Sequence, residues 1–247
     1  AASVNASFFM MWIGNNDVLS FATEGGDESP TGAILTDGSE FNTKYEAAIN
    51  TLILSGANKG VVANIPDVTT IPYFTTIKWN ALVLTQEQAD FFNSHPLVVG
   101  YNTALENSSI IAQFKDGAAE ADRRELKFKA GANGFLMLDN DLSTAYTDTM
   151  GTELPKYRQL IPGELVTLSA SGDEIRCEGL GSADLSDPQN PVINPMTGDI
   201  ILDLDEIQRI KDYTTSYNAT IKSIANKYQL AHVDVNKRLN ELKAGIT

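Results

Sequence analysis

Phe8-Phe9-Met10-Met11-Trp12-Ile13 is an unbroken apolar run with no period-two alternation. That pattern predicts a central parallel strand covered by helices on both faces. The polar loop 14–17 follows at once, at the carboxyl end of the strand, where open parallel sheets form their ligand crevice. Residues 23–39, rich in Gly, Asp and Ser, read as a loop. Between 40 and 56, Phe41, Tyr45, Ala48, Ile49, Leu52 and Ile53 recur at helical spacing. The apolar, β-branched stretch 60–64 predicts a second strand, and Pro66 and Pro72 stiffen the extended loop that leaves it.

From 80 to 187 the pattern is mixed and reads as an insertion between two core segments, 1–79 and 188–247. It carries helical signals at 86–93, 102–114 and 118–126, and strand-like runs at 134–138 and 165–168. Turn residues cluster at 179–198, where Pro188, Pro191 and Pro195 predict a long surface connection rather than an element. A long helix follows, with Asp203 as its cap, Glu206 three residues on, and Ile207, Ile210, Tyr217, Ile221, Ile224 and Tyr228 as its buried stripe. Residues 230–235 predict another parallel strand, and 236–242 a final helical turn or two. No internal repeat is visible.

A chain of 247 residues, 43% of them hydrophobic, can bury a sizeable core. Acidic residues outnumber basic ones by 32 to 18, a formal charge of −14, which argues against nucleic acid or an anionic membrane surface as partner. No run approaches the roughly eighteen apolar residues of a spanning helix. The single cysteine, Cys177, excludes an internal disulfide and a multi-cysteine zinc site. Residues 1–5 have neither a basic nor an apolar leader segment, so an export signal or a lipid-attachment cysteine is expected upstream of them.

Gly14-Asn15-Asn16-Asp17 has the form Gly-x-Asn-Asp. Alone it is short enough to be an ordinary turn in which glycine supplies an unusual backbone angle and Asn and Asp bond locally. Its setting is more specific: strand, loop, helix, strand, proline loop, insertion, long helix, strand. That order resembles the SGNH/GDSL hydrolases, and more narrowly an outer-membrane lipoprotein branch of Gram-negative bacteria with a Phe-Phe-x-x-Trp-Ile-Gly-Asn-Asn-Asp-Val-Leu stretch. Residues 60–76, Ile161-Pro162-Gly163 and Val233-Asp234-Val235-Asn236 also resemble that branch. The resemblance covers nearly the whole chain.

The resemblance implies an α/β fold of three α/β/α layers, with a mainly parallel, flavodoxin-like sheet and a long insertion resembling a cap. It implies a serine ester hydrolase of lipase or esterase type acting on a small ester or lipid-like substrate. No cofactor and no metal are implied. Carried over, Asn16 donates its side-chain amide to the oxyanion, Gly14 lets the loop turn close to the substrate, and Asp17 braces it. A donor aimed at charge that develops only in the transition state contributes about a hundredfold or more in rate.

Of the family's four blocks only this one is present. No Gly-Asp-Ser occurs, and neither histidine stands in Asp-x-x-His. The nucleophile and base are therefore expected outside these 247 residues, and the chain alone is expected to be inactive. The alternative is a non-catalytic binding or accessory lipoprotein of an outer-membrane complex, with a membrane protein as partner. Either way the resemblance implies an exported protein of the outer membrane or cell surface. His95, in Asn93-Ser94-His95-Pro96, reads as a helix-end or surface residue, and His232, two positions from Asp234 in a strand, as a core or strand-end residue. Asp139-Asn140-Asp141 and Asp199, Asp203 and Asp205 lack the spacing and glycine of a calcium loop. The sequons at Asn5, Asn107 and Asn218 carry no assignment.

Overall fold

The computed structural model describes residues 6–26, 33–187 and 190–243. The sequon residue Asn5, residues 27–32 of the loop 23–39 and Pro188 lie outside them. The chain divides into two compact units, Ala1–Pro72 with Leu204–Thr247, and Tyr73–Asp203. The second corresponds to the insertion expected at 80–187 and is longer at both ends.

The first unit is built on three parallel strands, β1 (Phe8–Met11), β2 (Lys59–Ala63) and β11 (Ala231–Val233), in the order β1-β2-β11. Phe9 stands opposite Gly60, and His232 opposite Val62. Helices α1 (Asn15–Thr23) and α2 (Gly38–Leu54) connect β1 to β2, and the 24-residue helix α9 (Leu204–Lys227) leads into β11. The side chain of Asp37 starts α2 by accepting from the amides of Ser39 and Glu40. Phe41, Tyr45 and Ile49 on α2 and Ile210, Tyr217 and Ile221 on α9 are buried at intervals that keep each set on one helix face. The two helices meet through Phe41 and Tyr217, whose rings stack 4.0 Å apart. Beneath them Gly60 lets the ring of Phe9 close over β2, since a Cβ there would lie 2.6 Å from that ring.

Two expectations change here. β1 is parallel, but it is an edge of this sheet rather than its centre. It is also covered on one face only: Phe9 is buried, whereas Phe8 and Met10, which alternate to the other face, are 51% and 81% exposed. Val233 of β11, on the same face as Met10 by register, is 44% exposed. Among the described residues the unit is thus helices on one side of a small parallel sheet. An apolar run reports hydrophobicity on both faces of a strand, but it does not report whether both are covered.

The second unit is irregular. Its strands are two or three residues long and pair antiparallel in twos: β3 (Leu82–Leu84) with β4 (Gly131–Asn133), β5 (Leu136–Leu138) with β6 (Tyr157–Gln159), β7 (Leu165–Val166) with β10 (Ile201–Leu202), and β8 (Ser182–Asp184) with β9 (Val192–Asn194). The β8–β9 pair corrects the expectation that 179–198 lacks elements. Helices α3 (Pro72–Thr75), α4 (Gln86–Ser94), α5 (Pro96–Leu105), α6 (Ser108–Ile111), α7 (Ala118–Arg124) and α8 (Gly172–Cys177) complete the unit. Two apolar clusters support it, one around Phe92, Tyr101, Phe114 and Leu136, the other around Phe135, Leu160, Val166 and Met196. The remaining helix, α10 (Val235–Lys243), follows β11.

Two buried ionic groups hold these clusters in place. Arg124 is fully buried on α7 and pairs with Glu120 one turn earlier at 2.7 Å, over the ring of Phe114. Arg158 on β6 lies between Asp139 at 2.5 Å and Glu164 at 2.7 Å. Burial pulls the Arg158 guanidinium towards neutrality, but the two carboxylates outweigh it and hold its pKa above the ordinary range. Asp139 is thereby committed to an ion pair and to the amide of Asp141. The aspartates of 139–141 form a structural turn.

Candidate active site

β1 delivers the chain into Gly14, whose φ of +99° lies in the left-handed region. Glycine is required there twice over. An L side chain rarely adopts that angle, and a Cβ would lie 2.8 Å from Cδ1 of Ile65 and 3.0 Å from the ring of Phe41. The turn starts α1 at Asn15, and no side chain caps it. The first-turn amides therefore present the positive end of the helix without a capping side chain, and Asp17 is the acidic residue of that turn.

A cavity of about 340 Å³ opens at this turn. One wall is Trp12 to Asp17, and the other is Thr36 with Phe41, Lys44 and Tyr45 of α2. The structure thus brings the three sequence-predicted residues Gly14, Asn16 and Asp17 to one cavity at the carboxyl end of β1. Asn16 is exposed, and Asp17 is half-buried and accepts the hydroxyl of Thr36 at 2.6 Å. The indole of Trp12 donates to the carbonyl of Asn64 at 3.1 Å, tying the loop to the end of β2.

Sequence reasoning passed over two further residues in this wall. Oδ1 of Asn15 and the hydroxyl of Tyr45 are buried, and neither has a hydrogen-bond partner among the described residues. Both residues line the cavity, but these two atoms are themselves shut off from its surface, and Oδ1 of Asn15 can only accept. Burial pushes the Tyr45 phenol up to about 12, so it remains a neutral donor through the physiological range. No sequence signal marked Tyr45, which reads as an ordinary position in the α2 stripe. Lys44, the one cation of the lining, pairs with Glu40 at 2.6 Å, which raises its pKa.

The chemistry available is the binding of an oxygen anion or a carbonyl by the exposed amide of Asn16 and a helix N-terminus. Among the described residues the lining contains no Ser, Cys or His. His95 lies in the second unit, between α4 and α5, where its Nδ1 accepts the amide of Leu97 at 3.3 Å. It is buried against Phe91 rather than on the surface. His232 is half-buried in β11, and its Nε2 is a further orphan. Its neighbour Asp234 instead accepts from Nδ2 of Asn64 at 2.8 Å and from the amide of Lys237, which hold its carboxyl below the usual range. Among the described residues no group of three or more His, Cys, Asp or Glu could hold a metal ion, and no helix is long and apolar enough to cross a membrane.

No protein-family model, curated protein or solved structure matches this chain. What the fold and the cavity define is therefore a mixed α/β protein with a small parallel sheet and a polar crevice at the end of its first strand.

Proposed function

We propose that this chain is the central part of an SGNH/GDSL-type serine ester hydrolase in which Asn16 is the oxyanion donor, with nucleophile and base on blocks outside these residues. The observation that carries the reading is the placement of Asn16, one residue into an uncapped helix, on a cavity at the carboxyl end of a parallel strand. Donors preorganised around one point stabilise negative charge on a carbonyl oxygen without reorganising as it forms. The finer fold belongs to the same reading: a three-layer, flavodoxin-like sheet completed by a strand along the free edge of β1 and by cover over Phe8 and Met10. The substrate would be a small ester or a lipid-like molecule, and the protein an exported lipoprotein of the outer membrane or cell surface of a Gram-negative bacterium.

In the protein extended to carry Gly-Asp-Ser and Asp-x-x-His, Asn16→Ala lowers turnover of a short p-nitrophenyl ester by about two orders of magnitude while thermal unfolding stays unchanged. An unaltered rate removes Asn16 from the mechanism. A second reading, a non-catalytic binding or accessory lipoprotein beside an outer-membrane protein, is favoured by the absence of Ser, Cys and His among the described residues of the lining and by the apolar exposure of Phe8, Met10 and Val233. Flanking gene sequence without either block decides for it.

A further inference from the structure

The second unit contains its own cavity, of about 280 Å³, which no part of the proposed hydrolase chemistry uses. Phe92, Leu97 and Tyr101 form one side, and Phe128, Leu136 and Ile193 stand among the residues of the other. The walls are preformed by three side-chain amides, each of which takes both hydrogen bonds of a strand-like backbone. Asn93 pairs with Phe128, Asn102 with Leu126, and Gln113 with Tyr146, all at 2.7–3.2 Å. The hydroxyl of Tyr101 further pins the loop by donating to the carbonyl of Tyr157 at 2.7 Å. Such clamps hold a void open where free side chains would otherwise collapse into it, at a cost in lost dispersion contacts that an apolar occupant restores.

We propose that this cavity binds a small uncharged or amine-bearing hydrophobe, of the size of an eight-carbon alcohol or amine, and discriminates against the corresponding carboxylate. Size follows from volume: an apolar cavity of about 150 Å³ takes benzene, so one nearly twice as large takes about ten heavy atoms. Selectivity follows from charge. The one carboxylate among the described residues of the lining is Glu153, which stands with no Lys, Arg or His beside it in that lining, is exposed at the rim beside Thr147 and Thr152, and has no ion-pair partner among the described residues. The field of a chain of net charge −14 works in the same direction.

The test titrates the whole chain with 1-octanol, n-octylamine and octanoate by calorimetry or ligand-observed NMR. The alcohol and amine are expected to bind, with octanoate at least tenfold weaker, and Glu153→Gln is expected to bring the amine and octanoate within about threefold of one another. Gly100→Leu supplies the blocking variant. Gly100 sits exposed in α5 on the cavity rim, and a Cβ there meets nothing within 4 Å, so the substitution is tolerated and improves helix propensity. It is expected to abolish binding of the alcohol and amine at an undiminished melting temperature. Failure of both to bind the native chain, octanoate binding as tightly as the amine, or undisturbed binding by a folded Gly100→Leu chain would each overturn the proposal.

Discussion

The hydroxyl of Thr36 donates to Oδ1 of Asp17 at 2.6 Å, joining the segment before α2 to the first turn of α1 across the candidate site. Asp17 is half-buried, and the bond holds the helix start that carries Asn16. Thr36→Val keeps the shape and removes the donor. Because water can reach part of the carboxylate, the expected loss is about 1 kcal/mol rather than the larger value of a sealed charged bond. Urea unfolding checks it, and a midpoint equal to that of the native chain would assign Asp17 no bracing role.

Gly14→Ala combines two costs that do not depend on function. The positive φ strains any L residue, and the new methyl meets Ile65 and Phe41 inside contact distance. Together they predict a destabilisation of about 2–4 kcal/mol, with the overpacking share set by how far the Phe41 ring can move. The effect should appear as a lowered unfolding midpoint with an unchanged denaturant slope.

The first unit was largely legible because its elements are long enough for periodicity to register. The stripe of α9 and the apolar runs of β2 and β11 lie where the pattern puts them, within a residue or two. The segment 14–17 stood out because it follows a strand of unusual hydrophobicity, although the loop expected there is a single glycine turn and the first turn of α1. What periodicity could not supply was the exposure of one face of β1, which depends on neighbours distant in sequence. The second unit was legible in its helices but not in its strands. Pieces such as Leu165–Val166 are too short for alternation to show, and their partners, here Ile201–Leu202, lie far off in sequence. Glu120 and Arg124 stand four apart in a stretch read as helix, which signals a pair, yet nothing in that spacing signals that the pair is buried.

Asn218 illustrates the same limit. Its Oδ1 accepts the amide of Ile65 at 2.7 Å and its Nδ2 donates to the carbonyl of Ile65 at 2.8 Å, fixing the proline loop to α9. The carbonyl also receives Nδ2 of Asn236 at 3.0 Å, whereas among the described residues no other acceptor serves the Ile65 amide. Asn218→Ala therefore leaves that buried amide unpaired and should cost about 1–3 kcal/mol. Asn236→Ala leaves the carbonyl one partner and should cost less. Equal or reversed unfolding midpoints for the two variants would remove the clamp from the account.

Glu120 links the second unit to pH. Burial acts to raise its carboxyl, but the hydroxyl and amide of Ser143 and the guanidinium of Arg124 outweigh it, and the folded value lies below the ordinary 4.5. The unfolded chain thus binds the proton more readily than the folded one. The stability that the pair contributes is fully present above pH 4.5 and is lost as pH falls through the folded value. Trp79 of the second unit, followed in a Trp12→Phe background, should report a loss of stability that sets in as pH falls below 4.5. Glu120→Gln should be destabilised by about 3–5 kcal/mol at neutral pH, since it strands a buried guanidinium, and should lose part of that acid slope. A variant retaining the full slope would show that other carboxylates carry it.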